Sequence, residues 1–522
     1  MARVPVLTPE EAADLVASGD TVAVSGCVWS LVPERILEAL ERRFLETGSP
    51  ADLVEMHMHV YGLGPGVGLE RFAHRGMTRR VVGGSFAPPY WFKDSRMAGL
   101  AHEDEIEAFI LPAGVISSLW RETGAGRPGV LTKIGWGTFV DPRHGGGAIT
   151  PMAETSGYQT AEVISLAGDE WLFYHSIPID VSFIRATSAD EEGNLTLEDE
   201  PIYQSVLAQA LATKASGGKV VAQVKQLAEA GSLDPRLVRL PSILVDAVVL
   251  APQQQQFEYG VHEDSPAFVG ALRLPPPPCE FRALTAEQWV AWRAVREIEP
   301  GQVVNIGAGL PVLELPYVFR TSGIADRIHL SVEHGSLGGV NLGGQLCQTH
   351  WNPSAIVDSN DTFDFYTGGG LDVAFLGMAQ VDGAGNVNVA KVGDSVAGIG
   401  GFMDIAQSAR KVVFCGTFRQ GGLETEVVDG AVRIVEEGRN PKFVEDVQLV
   451  SFNADWARRA GQEILYVTER AVFRLTDAGL TLTEIAPGID LDRDIRARME
   501  CSFAVAPDLK PIVVHIPEVP RA

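Results

Sequence analysis

Cysteine is scarce in this 522-residue chain: five residues, at 27, 279, 347, 415 and 501, with no C-x-x-C pair. That scatter excludes a disulfide framework and a structural zinc ribbon, and it predicts a reducing, cytoplasmic setting. Long apolar runs are also missing, and none approaches the ~18 residues of a membrane span. Positive charge is outweighed, with 42 Lys and Arg against 67 Asp and Glu and a net charge of -25. Such an excess opposes non-specific binding to nucleic acid. An anionic ligand would need helix N-termini or a few local Lys or Arg to attract it. Neither a G-x-S-x-G elbow nor an H-E-x-x-H motif occurs. No targeting segment is expected at the start. Thr8-Pro9-Glu10-Glu11 reads as a capping box with proline at the first helical position, and the helix it opens should stop at Gly19.

What is present is an internal repeat. "IDVSFIRATSADEEGNL" (179–195) aligns without a gap on "LDVAFLGMAQVDGAGNV" (371–387). Asp180 meets Asp372, Phe183 meets Phe375, and Gly193-Asn194 meets Gly385-Asn386. At the same separation the "KVV" at Lys219 meets the "KVV" at Lys411. The starts of the halves correspond at a wider separation, "GDTVAVSG" from Gly19 with "GQVVNIGAG" from Gly301. The first half therefore carries an insertion between Gly26 and Ile179. A glutamine run and four consecutive prolines lie between the halves and cannot form a helix or a central strand. The expected organisation is residues 1–252, a linker over 253–283, and residues 284–522.

Each half reads as α/β. "TVAVSG" is a short buried strand, followed by the amphipathic helix "VPERILEALERRFLETG" with Pro33 near its start and Gly48 past its end. "LVEMHMHV" and "EAFIL" read as strands and "VISSLWRETGAG" as a helix. In the second half "VVNI" leads through Gly-Ala-Gly to a helix opened by Pro311. Strands alternating with helices imply parallel sheets with ligands at the carboxyl ends of the strands.

Several short stretches could carry chemistry. In "SVEHGSLGGV" (331–340), Glu333 follows the strand candidate "RIHLSV" and precedes a run of small residues. It is either a surface turn or a nucleophile presented on a tight bend. "NIGAGLP" lacks the third glycine of a dinucleotide fingerprint, which would fall at Val312. It remains either a plain turn or a cradle whose N–H groups hold phosphate or carboxylate. "TGGGLD" and "AGIGGFMD" are either packing corners or N–H donors for an oxyanion. His57 and His59 share a face of one strand, with no third ligand group of the right kind expected nearby, so no metal is assigned.

With these stretches in hand, the chain resembles the family I CoA-transferases, in particular the single-chain type acting on acetate, acetoacetate or propionate. The resemblance rests on "NIGAGLP", "SVEHGSLGG", "GGGLDVAFLGMAQVDGAGNVNVA", "AGIGGFMDI", "VTERAVFRL", "EIAPGIDL" and "PGVLTKIGWGTFVDPR", in order along nearly the whole chain. It implies two related open α/β domains with the active site between them. It implies that Glu333 attacks an acyl-CoA and becomes a glutamyl-CoA thioester, and that Gly401 donates an oxyanion-hole N–H. It places Gly307, Ala308, Gly309 and Gly400 beside CoA, which is substrate rather than tightly bound cofactor. It also implies acyl-CoA and carboxylic acid as partners, no nucleic acid, no membrane, and a homodimer or homotetramer.

Two residues depart from the family pattern. His334 follows the nucleophile where Asn or Ser is usual. Ala113 stands where the family has a glutamine whose amide is the second oxyanion donor. One alternative is an acyl-CoA hydrolase in which Glu333 holds a water; the loss of the glutamine suggests another, a weakly active acyl-CoA-binding relative. Gly335, Gly338 and Gly339 are expected to leave room for the CoA thiol. Trp29 and Trp136 are expected near the acyl pocket, and Lys133, Arg143 and Lys391 are candidates for the CoA phosphates.

Overall fold

The computed structural model describes residues 3–86, 94–280, 282, 284–428 and 430–514. Its strands form two large sheets. The first holds β1 (Val6–Leu7), β2 (Thr21–Val24), β3 (Leu53–His57), β4 (Thr78–Gly83), β5 (Glu107–Ile110), β6 (Val181–Asp190), β7 (Lys219–Ala228) and β8 (Ala247–Leu250). They lie in the order β1-β8-β7-β6-β2-β3-β4-β5, with every neighbouring pair parallel. Every residue of β6 is buried, as expected of a central parallel strand covered on both faces. The second sheet holds β9 (Val303–Ile306), β10 (His329–Ser331), β11 (Ser336–Leu337), β12 (Ala355–Ile356), β13 (Val373–Gly377), β14 (Lys411–Cys415), β15 (Glu463–Val467), β16 (Ala471–Thr476), β17 (Gly479–Ile485) and β18 (Ala504–Pro511). Its order is β12-β11-β10-β9-β13-β14-β15-β16-β17-β18.

The repeated residues do the same local work twice. The Asp180 carboxylate accepts the Thr21 amide at 2.8 Å, and the Asp372 carboxylate accepts the Val303 amide at 2.8 Å. Asp190 takes both the backbone and side-chain N–H groups of Asn194, as Asp382 takes those of Asn386. The halves differ most between their first strands and the repeat. The first half has β3, β4, β5 and a separate antiparallel sheet of Gly129–Thr132, Ala161–Leu166 and Asp169–His175. The second has β10 and the short hairpin strands β11 and β12 there.

Helix α1 (Pro9–Ala13) starts on the expected capping box of Thr8 and Glu11 but ends well before Gly19. Leu15 and Val16 donate to carbonyls three residues back, and the Asp20 carboxylate captures the Ala17 amide. Those bonds replace the helical ladder. Helix α2 (Glu34–Thr47) buries Ile36, Leu37 and Leu40 and ends at Gly48 in the left-handed conformation. Helix α3 (Ala113–Gly124) follows β5, helix α4 (Leu310–Ser322) follows β9 with proline in its first turn, and helix α5 (Phe402–Ser408) follows the glycine loop 398–401. Among the described residues, no helix is long and apolar enough to cross a membrane.

Candidate active site

The loop Ala397–Gly401 of the second sheet lies on the strand ends of the first. Ile399 and Gly400 donate to Gly84 O at 2.8 and 2.7 Å, Phe86 donates to Ala397 O, and Ala113 donates to Gly400 O at 2.9 Å. Contact this close needs bare backbone. A Cβ on Gly84 would overlap Met58 O, and one on Gly398 would overlap Ser85 Cα. The Asp404 carboxylate closes the seam by accepting the Gly114 amide at 3.1 Å, and burial pushes its pKa up to about 8. The Gly401 amide donates to no acceptor among the described residues.

Glu333 sits in the turn joining β10 to β11. The Gly335 amide donates to Val332 O at 3.0 Å, which leaves Glu333 and His334 at the corner. Asn305, on β9, reaches Glu333 Oε2 through Nδ2 at 3.4 Å and also contacts Tyr366 OH at 3.3 Å. A Cβ on Gly401 would lie 3.2 Å from Glu333 Oε1. Glu333 and Gly401 therefore lie side by side in the lining of a cavity of about 440 Å³. Gly307, Ala308, Gly309 and Gly400 line the same cavity. Gly309 has φ 94° and precedes the first turn of α4, so the bend requires glycine.

Gly335, Gly338 and Gly339 do a different job from the one expected. A Cβ on each would collide with Val357 O, the Ser354 side chain or the Trp351 carbonyl, and none of the three lines the cavity. They allow the 351–357 segment to pack closely and give the thiol no room.

The two sequence-adjacent histidines also separate. His57 is a satisfied core residue, its ring bonded to Glu55 Oε2 and Ser85 O, both at 2.7 Å. His59 lines the cavity and makes no hydrogen bond among the described residues, with its Nε2 buried and unpartnered. Its ring stands 4.5 Å from that of His334, whose two nitrogens are also unpartnered. Burial, with His334 beside it, lowers His59 to about 3. Burial, with His350 nearby, lowers His334 to about 3. Both rings are thus neutral near pH 7. The expectation that no third ligand group stands near His59 is corrected here. One ligand atom each from Cys27, His59 and His334 lie within 4.8 Å of one another. This trio of soft donors could hold a divalent ion.

Other sequence candidates lie elsewhere. Neither Trp29 nor Trp136 lines the cavity. Trp29 packs edge-on to Tyr259, and Trp136 packs against Trp456 and Arg143. Lys133 lies 3.5 Å from Asp169, Arg143 is bound to Asp141 and Glu170, and Lys391 donates to Ile149 O. None of the three lines the cavity, whereas Lys442 does. Ala113 is fully buried. Sequence reasoning did not single out Asn305, although it opens "NIGAGLP" and is a polar residue inside the apolar strand "VVNI". It also missed Cys27, for which there was no signal.

The coenzyme A transferase family profile matches residues 6–251. A caffeate CoA-transferase of Acetobacterium woodii is 40% identical over 516 residues, covering 97% of this chain and 95% of that one. The acyl-CoA transferase YdiF of Escherichia coli O157:H7, crystallised as a thioester complex with CoA, superimposes with a TM-score of 0.91 at 36% identity, over 98% of this chain and 95% of that one. The acetate CoA-transferase subunit beta of Escherichia coli K12 is 35% identical over 43% of this chain and 97% of its own length. Similarity of this extent, over both sheets and the cavity between them, makes the chain a member of family I of the CoA-transferases.

Proposed function

We propose that this transferase moves CoA between a short-chain acyl-CoA and a carboxylic acid through a thioester formed on Glu333. The observation that carries the assignment is the Glu333 carboxylate lying against Gly401, whose amide donates to no acceptor among the described residues, in the lining of one cavity. A carboxylate is a weak nucleophile in water, and here it is half-buried and aimed by the Asn305 amide.

The Glu333 oxygen adds to the thioester carbonyl, whose oxygen becomes an anion facing the Gly401 N–H. The C–S bond then breaks, leaving an acyl-glutamyl anhydride and CoA thiolate. The thiolate attacks the glutamyl carbonyl and expels the first carboxylate, leaving glutamyl-CoA. An incoming carboxylate reverses both steps and departs as the new acyl-CoA. Anhydride lies uphill of thioester, and binding of the unreactive CoA arm along Gly307–Gly309 offsets the difference. The thioester complex of YdiF supports the covalent route.

The same reading divides the chain at 253–283, supported by a relative that makes a matching portion as a separate subunit. It takes the enzyme to be a cytoplasmic homodimer or homotetramer. The test is mass spectrometry after incubation with acetyl-CoA. A CoA-mass adduct on the Glu333 peptide is expected, lost in Glu333→Ala. CoA release independent of any acceptor acid, with no adduct, overturns the proposal in favour of hydrolysis.

A further inference from the structure

Acyl transfer ordinarily holds its oxyanion between two donors. Gly401 offers one N–H. The other is absent from the position expected to supply it, because Ala113 carries only a methyl group and its amide is spent on Gly400 O at 2.9 Å. An imidazole flanks the same loop instead. A Cβ on Gly400 would lie 3.4 Å from His59 Nδ1, and a Cβ on Gly401 would lie 3.2 Å from Glu333 Oε1. Two successive glycines thus carry the imidazole against one and the carboxylate against the next, with the unpaired Gly401 amide at the same loop. His59 lines the cavity and no described residue satisfies its ring.

Resting on the assignment of Glu333 as nucleophile, we infer that His59 is the second oxyanion donor of this enzyme. With its proton on Nδ1, it and the Gly401 amide hold the thioester oxygen as Glu333 adds. As the Glu333 oxygen bonds to the carbonyl carbon, the C=O π pair moves onto oxygen. Both N–H bonds stay intact and only tighten. When the tetrahedral adduct collapses, the C–S bond breaks and the thiolate leaves with the pair.

The decisive measurement is the single-turnover rate of the CoA adduct on Glu333, by rapid quench and intact-mass spectrometry, in His59→Leu and His59→Gln. His59→Leu should slow adduct formation about 10²–10³-fold, the scale of losing one oxyanion donor, with KM for acetyl-CoA nearly unchanged. His59→Gln keeps an amide N–H and should recover a large part of the rate. Adding Ala113→Gln to His59→Leu should do the same. The inference is overturned if His59→Leu forms adduct at the wild-type rate. It is equally overturned if the Leu and Gln variants are alike in rate, or if loss of rate follows only a loss of thermal stability. Absence of any adduct in the wild type would instead overturn the nucleophile assignment.

Discussion

The corner after β3 and the corner after β10 occupy one position in two copies of a frame. Thr21 and Val303 are equivalent by their bonds to Asp180 and Asp372. Two residues on, Ala23 pairs with Met56 in the first sheet and Asn305 pairs with Ser331 in the second. Counting forward from those pairs, Met58 stands where Glu333 stands and His59 where His334 stands. The first half has put a methionine, 1% exposed, into its core. The second has put a carboxylate against the cavity. The two histidines meet across the seam, their rings 4.5 Å apart and tilted by 56°. Duplication thus supplies two equivalent corners, and the reaction needs a nucleophile on only one. The other is free to pack, and to lend its imidazole.

The strongest way to break that comparison is to exchange the demands on the two positions. Glu333→Ala should lower kcat by at least about 10⁴-fold, as removing a catalytic nucleophile does, while leaving the melting temperature near wild type. Met58→Ala should do the reverse. It opens a cavity costing about 2–5 kcal/mol and leaves kcat within a small factor, read by denaturant unfolding and steady-state assay. A Met58→Ala enzyme that melts normally but has lost turnover would erase the division of labour.

Gly401→Ala is the next largest. The new methyl would press on Glu333 Cγ and Oε1 at 3.2 Å, so the carboxylate must give by a few tenths of an ångström. Misplacement of a reacting group on this scale predicts about a 10- to 100-fold loss in kcat, with KM little changed. Full kcat in the Gly401→Ala enzyme would mean that Glu333 is not held against the loop.

The frame around these corners was legible in the sequence, because the patterns that set it are local. Pro33 and Gly48 bracket α2, and Pro311 sits in the first turn of α4. The Glu333 bend stood out as a carboxylate between a strand and glycines. What was not legible depends on neighbours far along the chain. His57 and His59 look alike in sequence, and only the placement of Glu55 and of Ser85 O satisfies one ring and leaves the other bare. Gly335 and its companions announced positive φ, but the atoms that crowd them belong to residues 351–357. The end of α1 was set by Asp20, a partner beyond the predicted stop.

The paired imidazoles also predict an acid limb in stability. Both fold with pKa lowered to about 3 from an ordinary value near 6.5. Between those values the unfolded chain binds protons that the folded chain does not, so stability falls as pH falls. Each ring contributes a slope of about 1.4 kcal/mol per pH unit across that window. Replacing either histidine with leucine should flatten the limb between pH 6 and 4 by about one proton's worth in urea titrations. An unchanged slope would mean that the ring charges freely in the folded protein.

The smallest effects should come from the basic residues that sequence pointed to for CoA. Lys133, Arg143 and Lys391 are already engaged with Asp169, with Asp141 and Glu170, and with Ile149 O. All three lie off the cavity that joins the two corners. Truncating any one to alanine should shift KM for acetyl-CoA by less than about fivefold, the scale of an exposed ion pair. Lys442 is the contrasting position, because its ammonium lines the cavity, donates to Met378 O at 2.6 Å and is lowered by burial to about 8. Lys442→Met should therefore change KM more than any of the three. If Arg143→Ala outweighs Lys442→Met, the CoA arm leaves the cavity toward the first half, and the walls between the two corners have been read from the wrong side.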